Sequence, residues 1–323
     1  MRQFFVIVFG GITLVFTGII LSWGMRMVYD TVSPHLSFEK IHLPSFASVI
    51  ESVKSSDVSG TTVSGMSRII RYSAQEEEDT GKTVSNPNTT PTEKITASGY
   101  IVKDLTTNTI IEQHNADTLL SIASLSKLVT AVVARRLISV DARIEITRDI
   151  VNTYGNTAGF KSGEIFSASD LLYPLLMVSS NDAAEAFART YGRKAFIESM
   201  NDFAQSIGAY RTYFRDPSGL SDQNQSTASD IALIVDWIRT HDPQIIEITT
   251  IKDKTVRSHT WENPAHFLSL SNYLGGKNGF TTKAKKTSVS LFTLGPSKHI
   301  YAVVLLGSAN RDADVMNLLK KVN

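Results

Sequence analysis

A buried helix is predicted from the sequence Ile122-Ala123-Ser124-Leu125-Ser126-Lys127-Leu128-Val129-Thr130-Ala131. Ser124 and Lys127 stand three positions apart, so the hydroxyl and the amine share one helix face. Backbone N–H groups at a helix N-terminus are free to hold an anion. This pair could therefore be a nucleophile and its base. Apolar residues recur at helical spacing and predict a face that meets a core: Leu125, Leu128, Val129, Val132, Val133 and Leu137.

The Ser-x-x-Lys spacing alone does not assign a function. It arises by chance about once in a chain of this length, and Ser37 and Lys40 form a second copy. A purely structural Ser124 on a buried helix is therefore the alternative, and other parts of the chain have to distinguish the two.

The composition excludes several classes of function. The chain has 323 residues and a formal net charge of +1, which gives no electrostatic argument for binding nucleic acid. It has no cysteine, so disulfides, thiol catalysis and cysteine-based zinc sites are excluded. The histidines are scattered, without a His-Glu-x-x-His pair, and no glycine-rich phosphate loop occurs. We therefore expect neither a metal nor a cofactor.

An apolar run at residues 4–23 has the length of a membrane span. It continues almost unbroken for about 20 residues, enough to cross a bilayer as a helix, and Arg2 and Arg26 flank it. A cleaved signal peptide is the alternative, but the run is long for one and no small-residue cleavage site follows promptly. We predict an uncleaved transmembrane helix over 4–23, whose orientation the nearly balanced flanking charges leave open.

The composition shifts to Ser, Thr, Pro and charge between about residues 30 and 93. The runs at 76–79 (Glu-Glu-Glu-Asp) and 86–91 (Asn-Pro-Asn-Thr-Thr-Pro) are typical of solvated linker. As a flexible coil, such a segment would span on the order of 45 Å. We predict that 30–93 is a tether and that 94–323 is the folded domain.

Within the folded domain, strands are predicted at both ends and helices in the middle. A hairpin is expected at 97–103 and 109–113, and two further strands at 288–294 and 300–306. Helices are expected at about 124–136, 167–178, 182–191, 194–207, 228–238 and 313–321. This order predicts an α+β domain in which both ends form one antiparallel sheet, flanked by helices, with a mostly helical lobe inserted.

Two short motifs accompany Ser124-x-x-Lys127. Ser179-Ser180-Asn181 falls at a break between two predicted helices, and Lys277-Asn278-Gly279 lies just before the C-terminal strands. Ser-x-Asn also occurs at Ser199, within an amphipathic helix, and at Ser308, after a strand; we interpret both as structural. The order Ser-x-x-Lys, Ser-x-Asn, Lys-x-Gly is the signature of penicillin-binding proteins and active-site serine β-lactamases.

The chain resembles the D-alanyl-D-alanine carboxypeptidases, the low-molecular-mass penicillin-binding proteins, over about residues 95–323. Residues 123–128 resemble their Ala-Ser-Leu-Thr-Lys-Leu, and 180–184 are similar to their Gly-Asn-Asp-Ala-Ala. Residues 216–220 resemble Asn-Pro-His-Gly-Leu, and 276–281 resemble a segment with Lys-Thr-Gly-Phe-Thr. The resemblance implies a β-lactamase/transpeptidase-like fold.

The resemblance also implies a role for each motif residue. Ser124 would attack the carbonyl between two terminal D-alanines, and Lys127 would take the serine proton. Ser179 would relay a proton to the leaving amine, and Asn181 would hold the substrate amide. The residues implied to bind the substrate are Lys277, Asn278, Gly279 and Phe280. Lys277 would supply a positive charge, and Gly279, which has no side chain, would let the substrate lie along the strand. The N–H groups of Phe280 and Ser124 would form the oxyanion hole.

Three departures from the family pattern stand out. Asn278 replaces the threonine whose hydroxyl binds the substrate carboxylate, and Ser180 replaces a glycine. Residues 282–286, Thr-Lys-Ala-Lys-Lys, replace acidic and Ala-Gly residues. We interpret this basic stretch as a solvated turn, with binding of an anionic cell-wall polymer as the alternative.

The resemblance implies a serine-type D-Ala-D-Ala carboxypeptidase that trims peptidoglycan stem peptides and is acylated by β-lactam antibiotics. The N-terminal helix would hold it in the cell membrane, with a single span and an extracytoplasmic catalytic domain. Asn278 suggests one alternative, a catalytically weak, wall-binding or scaffold member. A β-lactamase is the other, although no Glu-x-x-Leu-Asn sequence occurs between Ser124 and Lys277. Carboxypeptidase versus endopeptidase preference, stem-peptide chemistry and oligomeric state stay open.

Overall fold

The computed structural model describes residues 4–9, 12–17 and 94–322. At the N-terminus, strands β1 (Phe4–Phe9) and β2 (Ile12–Thr17) form an antiparallel pair. The sequence predicted one helix over 4–23; a run of apolar, often β-branched residues fits a strand as well as a helix. Residues 18–23 of the predicted anchor and the predicted tether, 30–93, lie outside the described residues, so both segments stay predictions.

Among the helices that the structure describes, none is both long enough and apolar enough to cross a membrane.

The domain within residues 94–322 is built on an antiparallel sheet to which both of its ends contribute, as the sequence predicted. The first strand of the domain pairs with its last strand, so the sheet joins the start and the end of the domain. In spatial order its strands are β11 (Tyr273–Thr281), β12 (Lys285–Leu294), β13 (His299–Ser308), β3 (Gly99–Asp104) and β4 (Thr109–His114).

Short strand pairs tie the inserted segments together. β5 pairs with β8, β6 with β7, and β9 with β10, all antiparallel. The sequence did not predict them, because two to four residues are too few to show an alternating pattern. Their bounds are β5 (Leu120–Ser121), β6 (Arg143–Glu145), β7 (Ile165–Ser167), β8 (Gln225–Ser226), β9 (Asp253–Val256) and β10 (His259–Glu262).

Two helices begin where capping side chains predicted them, whereas the short helices α2 and α7 were not predicted. Ser167 and Asp170 form a reciprocal capping box at the start of α3, and Thr227 accepts a hydrogen bond from the N–H of Asp230 at the start of α6. The helices are α1 (Ser126–Leu137), α2 (Arg148–Val151), α3 (Ala168–Leu176), α4 (Asn181–Tyr191), α5 (Arg193–Ser206), α6 (Ala228–His241), α7 (Pro243–Ile248) and α8 (Arg311–Leu319).

The sheet has an apolar core on each face. Along β12, Val289 and Leu291 belong to the larger core, which includes residues of α1, α3, α4, α5 and α6. Phe292 points to the other face, where it packs in a smaller core with Val315 and Leu318 of α8. Because α1 lies in the larger core, its N-terminal turn is held against the sheet near β11.

A buried carboxylate joins the two ends of the domain. Asp314 on α8 is 1 % exposed. It accepts hydrogen bonds from the N–H and the hydroxyl of Thr96, at 2.9 and 2.7 Å, and from the hydroxyl of Ser308 at 2.7 Å. Thr96 precedes β3 and Ser308 ends β13, so these bonds hold the chain where β3 enters the sheet.

Asp314→Ala should lower the free energy of unfolding by on the order of 3 kcal/mol, because buried donors lose a charged acceptor. Urea denaturation monitored by circular dichroism measures the change. Asp253→Ala, at an exposed carboxylate, is the matched control and should change stability by less than about 0.5 kcal/mol. Equal effects of the two substitutions would contradict the role of Asp314.

Candidate active site

Ser124 lies in a short 3₁₀ turn, Ala123–Leu125, that leads into α1. Ala123 has a φ of 49°, in the left-handed region that residues with a side chain rarely adopt. Ser124 is partly exposed, whereas Ala123 and Leu125 are buried. The turn therefore presents one hydroxyl at the N-terminus of an otherwise buried helix.

Two glycines allow the chain to pack closely on both sides of this turn. A Cβ on Gly219 would lie 1.9 Å from the carbonyl oxygen of Ala123. A Cβ on Gly279, in β11, would lie 2.8 Å from the amide nitrogen of Ser124. Neither approach leaves space for a side chain, so the surrounding backbone fixes the strained turn.

Lys127 is fully buried one turn along the helix from Ser124. Its Nζ lies 3.0 Å from Ser124 Oγ, 2.7 Å from Asn181 Oδ1 and 2.7 Å from the carbonyl oxygen of Ser218. The predicted pair of Ser124 and Lys127 is therefore in direct contact. Two of the three acceptors come from parts of the chain distant in sequence.

The surroundings of Lys127 favour its neutral form. Burial lowers its pKa well below the usual value for an amine, and the positive charge of Lys277 lowers it further. The carboxylates of Asp216 and Asp182 act in the opposite direction and are outweighed. A neutral amine is the form that can accept a proton, so Lys127 fits the role of a general base.

The break between α3 and α4 carries the second motif. Ser179 has a φ of 59°, in the left-handed region, and the side chain of Ser180 caps α4. Ser179 Oγ accepts a hydrogen bond from Lys277 Nζ at 2.9 Å. Asn181 Nδ2 donates to the carbonyl oxygen of Tyr154 at 2.9 Å. The structure thus brings the second and third motifs together.

Lys277 is the second buried lysine of the site. It is 5 % exposed, and its Nζ also donates to the carbonyl oxygen of Asn278 at 2.8 Å. Burial lowers its pKa to about 7, with a contribution from the charge of Arg311. Its charge therefore changes near neutral pH and depends on what binds beside it.

Strand β11 is an edge strand that runs past Ser124. Phe280 follows Gly279 and is 66 % exposed, so its surroundings are open to a ligand. Lys277 pairs with Val289 across the sheet and Asn278 with Ser288. Asn278 is half-buried and follows Lys277 directly, so it lies beside the site at the edge of the sheet.

Sequence reasoning missed the role of the loop that follows Arg215. Asp216 Oδ1 accepts from the N–H groups of Ser218 and Gly219, both at 2.7 Å, and Oδ2 accepts from that of Ser221 at 2.7 Å. These bonds hold the carbonyl oxygen of Ser218 toward Lys127. The Asp-Pro-Ser-Gly sequence signals such a turn, but no residue type signals a catalytic main-chain carbonyl.

A second missed element is the loop 152–160, which packs on the second motif. Besides the contact of Tyr154 with Asn181, Thr157 Oγ1 donates to the carbonyl oxygen of Val178 at 3.0 Å. A Cβ on Gly155, which has a φ of 73°, would lie 2.5 Å from Asn181 Nδ2. This loop therefore orients the Asn181 amide toward Lys127.

The other Ser-x-Asn sequences are structural, as expected. Ser199 Oγ donates to the carbonyl oxygen of Ala195 within α5, and Ser308 Oγ donates to Asp314. The second Ser-x-x-Lys copy, at Ser37, lies outside the described residues.

Known proteins are similar to this chain in sequence and in fold. The D-alanyl-D-alanine endopeptidase of Escherichia coli is 33 % identical over 206 residues, covering 60 % of this chain and 63 % of that protein. The match therefore spans less than two thirds of that relative. A mutant of the Streptomyces K15 DD-transpeptidase superposes with a TM-score of 0.65 at 27 % identity, over 71 % of this chain and 97 % of that one.

The fold also matches penicillin-binding protein D2 of Listeria monocytogenes, solved in an ampicillin-bound form. The TM-score is 0.64 at 24 % identity, over 70 % of this chain and 97 % of that one. A sequence profile of the D-alanyl-D-alanine carboxypeptidases, peptidase family S11, matches residues 82–309. This chain, with its three motifs assembled around Ser124, belongs to the peptidase S11 family of D-alanyl-D-alanine carboxypeptidases.

Proposed function

We propose that this protein is a serine-type DD-peptidase that cleaves the bond between the terminal D-alanines of peptidoglycan stem peptides. The observation that carries the proposal is the contact of the buried Lys127 amine with Ser124 Oγ at 3.0 Å. Family membership and the name of the Escherichia coli relative support the same type of bond.

The hydrogen bonds of Lys127 account for the proton that Ser124 has to lose. A neutral amine has two N–H donors and one lone pair. The carbonyl oxygens of Asn181 and Ser218 take the two donors, which leaves the lone pair for the hydroxyl of Ser124. As Ser124 Oγ bonds to the substrate carbonyl carbon, its proton passes to Lys127.

Ser179 and Lys277 are placed to serve the leaving group. Collapse of the tetrahedral intermediate breaks the C–N bond, and the departing amine needs a proton. Ser179 Oγ can donate one and be resupplied by Lys277, whose Nζ is 2.9 Å away. Lys277 also supplies the positive charge for the carboxylate of the terminal D-alanine. Water then attacks the acyl carbon, and its proton passes through Ser179 to Lys277. As the ester bond to Ser124 breaks, Lys127 returns its proton to Ser124 Oγ, which releases the shortened peptide and restores both lysines.

The edge of β11 provides the binding surface for the peptide. Its unpaired backbone groups can accept the substrate as an added strand, and Gly279 keeps the space beside Ser124 free of a side chain. The N–H groups of Ser124 and Phe280 would stabilise the negative charge on the carbonyl oxygen. Such donors typically contribute about a hundred- to a thousandfold in rate.

Carboxypeptidase action is the reaction that we propose. The family description supports it, whereas the Escherichia coli relative is named an endopeptidase. A buried lysine that binds a terminal carboxylate favours substrates that end at the second D-alanine. β-Lactams would acylate Ser124 as inhibitors, in keeping with the ampicillin-bound Listeria structure of the same fold. We further propose that residues 4–23 anchor the protein in the cell membrane with the catalytic domain outside.

The purified protein should form a stable covalent adduct with a fluorescent penicillin, and Ser124→Ala should abolish it because the nucleophilic oxygen is removed. Gel fluorescence measures the adduct. Ser199→Ala, the serine of a structural Ser-x-Asn sequence, is the matched control and should label normally. Labelling retained in Ser124→Ala would overturn the assignment, and rapid loss of label from the wild type would favour a β-lactamase.

The value of kcat/KM for a peptide ending in D-Ala-D-Ala should fall as pH rises through about 7. Above its pKa, Lys277 loses the positive charge that binds the terminal carboxylate. A stopped assay of released D-alanine at several pH values measures the profile. Lys277→Arg keeps its charge over this range, so the alkaline fall should disappear even if the overall rate is lower. The same fall in Lys277→Arg would contradict the assignment.

Asn278→Thr should raise kcat/KM roughly tenfold, as one added hydrogen bond to a charged group would. A threonine hydroxyl on a short, β-branched side chain suits a strand better than the longer amide. Asn278→Val has the same shape without the hydroxyl and should not reproduce the gain. An unchanged or lower rate in Asn278→Thr would show that the site is adapted to asparagine.

A further inference from the structure

The turn between β11 and β12 presents three lysines to solvent. Lys283, Lys285 and Lys286 are all exposed, and none of them forms an ion pair with another residue in 94–322. The net charge of the whole chain is only +1, so this cluster is a local feature and not part of a generally basic surface. We call these three residues the turn lysines.

The turn itself is firmly held. Thr281 pairs with Lys285 across it, and Thr281 Oγ1 accepts a hydrogen bond from the N–H of Ala284 at 3.0 Å. Ala284 is 3 % exposed and packs inward between the exposed lysines. The turn lysines therefore project from a fixed backbone, which reduces the entropy that binding a ligand would cost.

The direction of the substrate along β11 follows from the positions of its two anchors. The terminal carboxylate lies by Lys277, whereas the carbonyl that is attacked lies by the N–H of Phe280, further along the strand. The peptide therefore runs antiparallel to β11, with its C-terminus toward Lys277 and its upstream residues toward the turn. At about 3.4 Å per residue, Thr281 is about 7 Å beyond Gly279. The upstream residues thus reach the turn within one or two positions.

We propose that the turn lysines bind free carboxylates on the stem-peptide residues that precede the scissile bond. The inference rests on the proposed DD-peptidase function and adds a preference for acidic donor peptides. Phe280, which is 66 % exposed, separates Gly279 from the turn along β11, so no covered segment lies between the scissile carbonyl and the turn lysines. The site would thus have a buried cation for the terminal carboxylate and exposed cations for the upstream ones.

The position of the turn favours a peptide over an anionic wall polymer as its ligand. The turn lysines directly follow β11, the strand that binds the peptide. A bound donor peptide therefore lies beside them whether or not a polymer is present. Exposed charge pairs are individually weak. We therefore expect a preference of roughly tenfold from the three together, expressed in KM and reduced by salt.

The test compares two synthetic pentapeptides ending in D-Ala-D-Ala that differ only in one group. The varied group is the side-chain carboxylate of the third residue, two positions before the terminal D-alanine. It is free in one peptide and amidated in the other. The wild type should prefer the carboxylate peptide by roughly tenfold in kcat/KM at low salt. In the triple variant K283Q, K285Q and K286Q, this ratio should approach one, while the thermal unfolding midpoint shows that the variant is folded.

Lys298→Gln is the matched control, because Lys298 is an exposed turn lysine at the other end of β12. It has a φ of 51°, close to the 55° of Lys285. It should leave the carboxylate preference unchanged.

An equal ratio in the wild type, or a ratio retained in the triple variant, would overturn the proposal. The proposal would also be overturned if the triple variant lost binding to polyglycerol phosphate but kept the peptide preference of the wild type. If the wild type fails to react with fluorescent penicillin, the DD-peptidase function fails instead, which separates the two proposals.

Discussion

The rest of the site depends on the burial of one lysine amine, which needs hydrogen-bond partners inside the protein. Lys127 is shielded from water, and a buried amine without partners would be strongly unfavourable. Its partners come from the turn at Ser124, the start of α4 at Asn181 and the loop at Ser218. Satisfying this one group therefore brings three separate segments together, and their meeting point is the catalytic site.

The two buried lysines have different tasks because the charge of Lys277 acts on Lys127. The charge of Lys277 lowers the pKa of Lys127, so the site favours one cation and one neutral amine. Lys127, whose two N–H groups have acceptors in Asn181 and Ser218, is placed to be the neutral base toward the hydroxyl of Ser124. Lys277 borders the open edge of β11, where a substrate carboxylate can stabilise its charge. A bound substrate carboxylate thus keeps Lys277 charged and Lys127 neutral, and proton transfer depends on this difference between the two lysines.

The sequence predicted those features of the structure that local side-chain chemistry determines, such as the starts of helices. Ser167 and Thr227 begin helices as capping residues, and the spacing of Ser124 and Lys127 places both at one helix end. It did not predict the carbonyl of Ser218, since every residue has a carbonyl and only the folded loop aims this one. It also missed strand β11 as an element before Gly279, because its glycines at 275 and 276 are typical of turns. The N-terminal strands differ from the predicted helix because an apolar run fits either.

The strained turn explains why the first and third motifs depend on each other. Ala123 has a left-handed φ in a turn on which two segments pack closely, because Gly219 and Gly279 have no side chains. A side chain at Gly279 would displace the amide of Ser124 and also obstruct the path of the peptide along β11. In the proposed mechanism, the absence of a side chain at Gly279 therefore serves two needs: it holds the amide of Ser124 in place, and it lets the substrate approach the same residue. Since both needs act on the same strand, the nucleophile and the bound peptide are aligned by a single element of the fold.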